Sequence, residues 1–269
     1  MDHPSVPPRI LFKYRYFDED GYHLKSLTDI YFPPPAEFND PFDTGIPILY
    51  YSSGTSPDDI LKHMRRRNSE LNNPILSEKE LIERHRDFIS EIPSNIVDAQ
   101  ARDLELASKN ARETGVFSLA EKETSILMWS HYGRNHTGFC IGYRTNILYD
   151  FLRSQADVIL PYIKYSPICP VINPYDPSLT LDEYYEAFTA KHSDWSYECE
   201  WRLIYHYGAR KSIQIPENTI DRVYLGMRIK PDNEARLIET LRTRKIKVDL
   251  FRAYRQFNNF ELKFEVVKY

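Results

Sequence analysis

The clearest pattern in the chain is a strict alternation of hydrophobic and polar positions over residues 195–206, WSYECEWRLIYH. One set of alternate positions is aromatic or apolar, and the other set carries Glu198, Glu200 and Arg202. A period of two is typical of a β-strand with one apolar face and one charged face. We therefore predict that these two carboxylates and this guanidinium project from one side of a strand and can converge on a single ligand.

The same pattern has a second interpretation. Antiparallel sheets commonly have one solvated face, and a Glu-x-Arg pair on such a face is only a weak ion pair. The aromatic side chains of Trp195, Tyr197 and Trp201 favour a functional site, because large rings on the opposite face form a packed platform that holds the charged face rigid.

Hydrophobic periodicity also predicts the rest of the fold. Strands are predicted at residues 10–17, 29–32, 116–119, 138–144, 159–165, 221–229, 248–252 and 260–267. Helical spacing is found at residues 57–114, 125–133, 146–155, 182–192 and 231–244. Short alternating strands with helices placed irregularly between them predict an α+β fold with a mixed, largely antiparallel sheet. We expect one domain, residues 1–269, with residues 57–114 as a helical insertion that serves as a lid or a specificity element.

Several local signals define that insertion. Ser77 and Glu80 match a capping box, and Pro93 is expected to break or kink the second helix. Arg65, Arg66 and Arg67 form the densest basic cluster in the chain. A solvated helix face explains this cluster as well as a phosphate contact does.

Composition narrows the class of protein. The 269 residues carry a net charge of -4, so the chain as a whole is not an obvious polyanion binder, while a local basic patch stays open. No apolar run reaches the length of a membrane helix, and the N-terminus lacks the pattern of a signal peptide, so we expect a cytoplasmic protein that does not bind membranes.

Three cysteines are too few and too widely spaced for a disulfide framework, and the spacing of His131, His136 and Cys140 matches no standard metal site. No metal is predicted.

Four stretches together resemble a bacterial family of domains of unknown function, number 2971. They are KYR at 13–15, EFNDPFD at 37–43, FSLAEKETSILMWSHYGRNHTGFCIGY at 117–143 and WSYECEWRLI at 195–204. The resemblance extends over nearly the whole chain. It implies a family but no activity, so function has to be argued from the residues.

A weaker resemblance is to the ADP-ribosyltransferases, which carry an arginine on a first strand, a serine motif on a middle strand and a late Glu-x-Glu. Arg15, Ser118 and the pair Glu198 and Glu200 occur here in that order. The resemblance implies a related fold and the use of NAD to modify a protein or nucleic acid, in bacterial defence or as a toxin.

The resemblance also implies roles for individual residues. Glu200 would hold the ribose and stabilise the oxocarbenium-like transition state, Glu198 would position or deprotonate the acceptor, and Arg15 would contact phosphate or ribose. The predicted NAD-binding residues are Arg15, Ser118, His131, Tyr132 and Arg202. The chain departs from the pattern of the ADP-ribosyltransferases in two ways. Its serine strand reads Phe-Ser-Leu-Ala, where that family usually has Ser-Thr-Ser or similar, and Arg202 lies where it can neutralise the carboxylates.

Two other classes of function remain open. In a magnesium-dependent nuclease or phosphoesterase, Asp40, Asp43, Glu198 and Glu200 would bind the metal. The segment around Asp40 and Asp43 is, however, first of all predicted to be a turn, because Asn and Asp side chains bond to their own backbone and proline fixes the next angle. In a non-enzymatic binding module, the aromatic and basic surfaces would meet a partner protein or single-stranded nucleic acid.

Overall fold

We analysed a computed structural model of the chain. It describes residues 6–43, 48–50, 52–54, 56–70, 79–80, 83, 96–176, 178–179 and 186–269. The chain divides into two units, one made of Met1–Glu37, Arg112–Pro167 and Lys191–Tyr269, and the other of Phe38–Ala111 and Ile168–Ala190.

The first unit is built on an eight-stranded sheet. Its strands are β1 (Ile10–Arg15), β3 (Gly115–Ala120), β4 (Phe139–Arg144), β5 (Val158–Ile159), β8 (Glu200–Tyr205), β10 (Ile220–Leu225), β11 (Asp249–Arg255) and β12 (Leu262–Val266). Their spatial order is β12-β11-β10-β4-β1-β3-β8-β5. Every neighbouring pair is antiparallel except β10 and β11, which are parallel. The predicted α+β fold with a mixed, largely antiparallel sheet is therefore confirmed.

Helices and short strand pairs complete this unit. The helices are α3 (Ile126–His131), α4 (Thr145–Gln155) and α6 (Pro231–Arg242). The sequence between β10 and β11 forms α6, which is the crossover connection that a parallel pair requires. Two small sheets pair β2 (Asp29–Tyr31) with β9 (Ser212–Gln214) and β6 (Lys164–Ser166) with β7 (Ala190–His192).

Side-chain alternation along the strands supplies a hydrophobic core on each face of the sheet. One core contains Leu11, Phe117, Tyr143, Trp201 and Leu203 with neighbours from α4 and α6. The other contains Phe12, Tyr14, Trp129 and Tyr224. Successive residues of β1 point to opposite faces of the sheet, so Leu11 lies in one core and Phe12 in the other. The sheet is therefore covered on both sides at this strand.

Helix α3 begins and ends as its sequence predicts. Ser125 is the N-cap, and its hydroxyl accepts a hydrogen bond from the Met128 amide at 3.4 Å. Trp129 is fully buried, and its indole nitrogen donates to the Glu123 carbonyl at 2.7 Å. This helix therefore fixes Tyr132, the residue at its C-cap, relative to the sheet.

The central prediction for residues 195–206 is correct for its second half and wrong for its first half. Ser193–Glu198 is a 3₁₀ helix, and only Glu200–Tyr205 is a strand. Between them Cys199 adopts a left-handed conformation, with φ 44°. The His192 side chain caps the 3₁₀ helix by accepting from the Asp194 amide, so local polar contacts outweigh the alternation there.

Two other predicted elements differ from the structure. A continuous strand over 159–165 is wrong, because β5 and β6 are separated around Pro161, which has no N–H to donate to a ladder. The helix predicted over 182–192 is wrong at its end, where Ala190–His192 forms β7. Its predicted cap, Thr180 with Glu183, lies outside the described residues.

The second unit contains α1 (Pro57–Glu70), α2 (Ile96–Glu113, of which the last two residues belong to the first unit) and α5 (Glu186–Thr189). A small core joins Ile48, Ile172 and Ala190. Asp103, which is buried in α2, accepts from the amide and the hydroxyl of Ser52 at 2.9 and 2.5 Å. The helices predicted at both ends of the insertion are thus present, whereas Ser77 and Pro93 lie outside the described residues. The role of 57–114 as a lid or specificity element, and the organisation as one domain, stay predictions.

Candidate functional site

A cluster of charged side chains is buried where β8 meets the end of the preceding 3₁₀ helix. Glu198 is 4% exposed, Glu200 3% and Arg202 0%. These exposures exclude the interpretation of the Glu-x-Arg pattern as a solvated surface pair. Charges buried this deeply require partners, because the loss of hydration is otherwise too costly.

Glu200 is held by two cations. The Arg202 guanidinium donates to both of its carboxylate oxygens, from Nε to Oε1 at 2.7 Å and from Nη2 to Oε2 at 2.9 Å. The Lys191 ammonium donates to Oε2 at 3.0 Å. Burial alone would raise the pKa of Glu200, but these two charges, with hydrogen bonds from Arg202 and Ser118, hold that pKa well below its usual range. Glu200 is therefore an ionised carboxylate at neutral pH.

Glu198 has a different environment. Its Oε2 accepts from Lys191 at 2.7 Å and its Oε1 accepts from the Tyr132 hydroxyl at 2.6 Å. Burial and the negative charge of Glu200 raise the pKa of Glu198, and the contacts with Lys191 and Tyr132 only partly offset them. The two carboxylates thus share one lysine but have pKa values displaced in opposite directions, a property that marks acid and base assignments in enzyme sites.

The backbone explains how two residues separated by one position reach the same ammonium group. Along a regular strand, side chains two positions apart point the same way and lie side by side. Here the left-handed Cys199 ends the 3₁₀ helix and lets Glu198 approach Lys191 from the helix while Glu200 approaches it from β8. The two carboxylates therefore meet at Lys191 rather than along one strand face, and their convergence on a ligand stays a prediction.

Tyrosine residues from two other segments also form hydrogen bonds with the cluster. The Glu200 amide donates to the Tyr165 hydroxyl at 2.9 Å, and burial together with the charge of Glu200 raises the pKa of Tyr165. Burial and the charge of Glu198 raise the pKa of Tyr132 likewise. Both phenols are therefore protonated at any physiological pH, and the Tyr132 hydroxyl acts as a hydrogen-bond donor to Glu198.

Aromatic rings border the cluster. The Lys191 ammonium lies 5.1 Å from the centre of the Trp195 ring, and the Trp195 and Tyr197 rings are 6.1 Å apart. The exposed side chain of His131 lies 6.1 Å from Tyr197 and 6.4 Å from Tyr132, measured between ring centres. His131 is thus at the solvent side of the site, and Tyr132 is at the carboxylates.

The first strand contributes a pair of cations. Lys13 donates to the Ser118 carbonyl at 2.7 Å, and its ammonium lies 4.7 Å from the centre of the Phe117 ring. The Arg15 guanidinium lies 5.7 Å from the same ring, and its Nε donates to the Ser26 hydroxyl at 3.0 Å. Strands β1 and β3 have a single registered pair, Phe12 with Ala120, so Lys13 occupies the place where the two strands diverge.

Charge coupling relates Lys13 to the carboxylates. Burial and the neighbouring Arg15 hold the pKa of Lys13 well below its usual range, while the charges of Glu200 and Glu198 act in the opposite direction. Among the described residues no carboxylate lies within ion-pair distance of Lys13. Arg15 and Lys13 thus lie close enough for the positive charge of one to lower the pKa of the other.

The structure brings together five of the residues predicted for the site: Ser118, Tyr132, Glu198, Glu200 and Arg202. His131 lies at its rim, and Arg15 contacts Ser26 and Phe117. Sequence reasoning missed Lys191, Tyr165 and Lys13. Lys191 fell within a predicted helix, so the sequence pattern carried no signal that it would be buried with the acids, and Lys13 appeared only as a polar position of β1.

Asp40 and Asp43, which the nuclease hypothesis would use, belong to the second unit. Asp40 accepts from the Phe42 amide at 2.9 Å, as expected for the predicted turn. Within the part of the chain that the structure describes, no group of three or more His, Cys, Asp or Glu side chains is arranged to hold a metal ion. None of the helices in that same part is long and apolar enough to cross a membrane.

Comparison with known proteins gives one match. Residues 128–203 match the model of the family described as Protein of unknown function (DUF2971), which bears out the predicted resemblance over that segment of the chain. The matched segment contains Tyr132, Lys191, Glu198, Glu200 and Arg202. No curated protein and no solved structure gives a significant match to the chain.

Proposed function

We propose that the buried cluster is the catalytic centre of an enzyme that cleaves the N-glycosidic bond of NAD and transfers ADP-ribose to a macromolecule. The observation that carries the proposal is the pair of carboxylates on one lysine, one held ionised by Arg202 and the other with a raised pKa. Glycosyl transfer needs these two properties in adjacent groups.

In the proposed reaction, the bond between the nicotinamide nitrogen and the ribose C1′ breaks. The bonding electrons leave with nicotinamide and neutralise its ring. The positive charge that develops on the ribose is stabilised by the ionised carboxylate of Glu200. An acceptor oxygen or nitrogen then bonds to C1′, and its proton passes to Glu198, whose raised pKa makes it the better proton acceptor of the two.

The surrounding side chains support this assignment. Lys13 and Arg15 form a cationic end of β1 suited to the pyrophosphate of NAD. Trp195 and Tyr197 provide aromatic faces beside Lys191, where a nicotinamide or adenine ring can stack. Tyr132 keeps Glu198 oriented through its hydroxyl.

The test is nicotinamide release from NAD by the purified protein, with and without a bacterial lysate as a source of acceptors. We expect release by the wild type, and a loss of roughly 100-fold or more in Glu198→Gln, as for removal of a general acid or base. Glu239→Gln is the matched control, because Glu239 is an exposed glutamate of α6. Wild-type protein that is folded yet releases no nicotinamide and labels no acceptor under any of these conditions contradicts the proposal.

A structural role for the same ion pairs is the alternative, and the full neutralisation of Glu200 by two cations favours it. In that case the cluster stabilises the fold and the protein acts by binding. Glu198→Gln would then lower the free energy of unfolding while leaving the biological activity of the remaining folded protein unchanged.

A further inference from the structure

Strand β12 is the outer edge of the eight-stranded sheet. Among the described strands it pairs with β11 alone, over Leu262–Val266, with no shift of register. It contains neither proline nor bulge, two of the devices that prevent an edge from pairing with another chain, and its charged residues, Lys263 and Glu265, are of opposite sign. The edge is therefore competent to accept a further strand.

The hydrogen bonds to β11 show which backbone groups point outwards. The Gln256 amide donates to the Glu261 carbonyl at 3.2 Å, and the Val267 amide donates to the Leu250 carbonyl at 2.8 Å. In an antiparallel ladder only alternate residues bond to a given neighbour. The odd-numbered residues of this strand thus face β11, and the outward amides and carbonyls belong to Leu262, Phe264 and Val266.

Charge complementarity identifies what this edge fits. Lys263 and Glu265 are exposed and flank Phe264 symmetrically. An antiparallel copy of the same strand, centred on Phe264, places Lys263 opposite the partner's Glu265 and Glu265 opposite the partner's Lys263. Opposite charges at such positions stabilise an antiparallel pair, and like charges destabilise it.

We propose that β12 is a self-association surface, through which two copies of the chain join their sheets by antiparallel pairing about Phe264. In this register Phe264 and its counterpart exchange both of their outward backbone hydrogen bonds, and Leu262 bonds with the partner's Val266. The two Lys–Glu pairs then fall at the non-hydrogen-bonded positions, where opposing residues lie closest together.

The neighbouring loop extends the same surface. Phe260, in the turn before β12, is 96% exposed, and the proposed pairing brings the partner's Lys268, just beyond the other end of the strand, toward this ring. A lysine over a phenyl ring is favourable, and pairing would remove part of this ring from water. The proposal depends only on β12 and its flanks, so it stands or falls separately from the chemistry of Glu198 and Glu200.

The test is the molar mass in solution over a range of protein concentrations, by sedimentation velocity or light scattering. We expect a concentration-dependent dimer in the wild type. Lys263→Glu and Glu265→Lys each place like charges opposite one another twice, so each is expected to weaken the dimer by roughly tenfold or more. Lys230→Glu, an equal change of charge at an exposed site outside β12, is the control.

Two further measurements distinguish this register from other modes of association. The double variant Lys263→Glu/Glu265→Lys restores complementarity and is expected to dimerise like the wild type, and the two single variants mixed together are expected to form a heterodimer. Val266→Pro removes an outward N–H but none that bonds to β11, so it is expected to abolish the dimer without unfolding the chain. A protein that stays monomeric at every concentration, or a dimer unaffected by these changes, overturns the proposal.

Discussion

The ammonium of Lys191 lies 2.7 Å from a carboxylate oxygen of Glu198, and both side chains are less than a tenth exposed. Lys191 is in β7 and Glu198 ends the 3₁₀ helix that follows, so the pair closes a short loop of chain. The same ammonium also reaches Glu200. One lysine therefore compensates two buried acids, which makes it the residue on which the cluster depends most.

Replacing Lys191 by Met should strongly destabilise the protein. The change removes from Glu198 and Glu200 the ammonium that bonds to both, and removal of one partner from a buried ion pair typically costs about 3–5 kcal/mol. The free energy of unfolding from urea titration measures the effect, with Lys230→Met as an exposed control. Lys191→Met combined with Glu198→Gln should recover part of the loss, because one fewer charge is then left unpaired. A loss below about 1 kcal/mol would mean that the cluster relaxes to admit water.

Replacing Tyr132 by Phe removes one hydrogen-bond donor from Glu198. A hydrogen bond to a charged group contributes about 1.5–3 kcal/mol, so we expect a loss of unfolding free energy in that range. Tyr254→Phe is the control, because Tyr254 is 44% exposed on β11. If the proposed function is correct, the change should also slow nicotinamide release in protein that is shown by circular dichroism to be folded.

The two glutamates should affect the pH dependence of stability in opposite ways. The pKa of Glu200 is lowered on folding, so its contribution is present above the unfolded pKa of about 4.3 and is lost as the pH falls through the folded value. The pKa of Glu198 is raised, so its contribution is greatest below the unfolded pKa and is lost as the pH rises through the folded value. The free energy of unfolding, measured by chemical denaturation from pH 3 to about 8, tests the direction of both effects. Glu198→Gln should abolish the loss of stability that occurs as the pH rises. Glu200→Gln should abolish the loss of stability that occurs as the pH falls.

Lys13 should react with amine reagents at lower pH than the other lysines do. Its pKa is lowered by burial and by Arg15, so a larger share of its side chain is the neutral, nucleophilic amine near pH 8. Limited acetylation followed by peptide mass spectrometry measures this share against the exposed Lys230. An anion bound beside Arg15 should suppress the reaction, because it favours the protonated form. Equal labelling of Lys13 and Lys230 at every pH would contradict a lowered pKa of Lys13.

Substitutions of Cys199 should follow the demands of its left-handed backbone. Glycine adopts φ near 44° without strain, so Cys199→Gly should lie within about 1 kcal/mol of the wild type. Valine is β-branched and strained in this region, and Cys199→Val should cost roughly 1–3 kcal/mol. Denaturation midpoints of the two variants measure the difference. Equal stability of both would show that the turn changes conformation to accommodate the side chain.

The strands of the central sheet are predicted from short runs of apolar and aromatic residues, which are typical of buried strands whether or not polar residues alternate with them. In β1, Leu11 and Phe12 are buried on opposite sides of the sheet, and β4 is buried along almost its whole length. Local sequence is sufficient in these cases, because short apolar runs rich in aromatic and β-branched residues favour strands. The cap of α3 at Ser125 is likewise a local signal.

Where the prediction for residues 195–206 is wrong, polar contacts between residues close in sequence override the hydrophobic alternation. The alternation continues from Trp195 into β8, yet the 3₁₀ helix is formed by the cap at His192 and by the hydrogen bond from the Cys199 amide to the Ser196 carbonyl at 3.2 Å. Lys191 could not be recognised as a partner of the acids, because an isolated lysine in a sequence is usually at the surface. The acidic residues were found from sequence, and the cation that joins them was not.

The left-handed residue between Glu198 and Glu200 has a consequence for interpreting relatives of this protein. Two acids separated by one residue are ordinarily taken as evidence of a strand face, but here their meeting requires a particular residue class between them. A homologue with Gly, Asn or Asp at the middle position can retain the geometry, whereas one with Val, Ile or Thr there is expected to separate the two carboxylates. The identity of that single intervening amino acid is therefore a more informative criterion for inheritance of this centre than the two acids themselves.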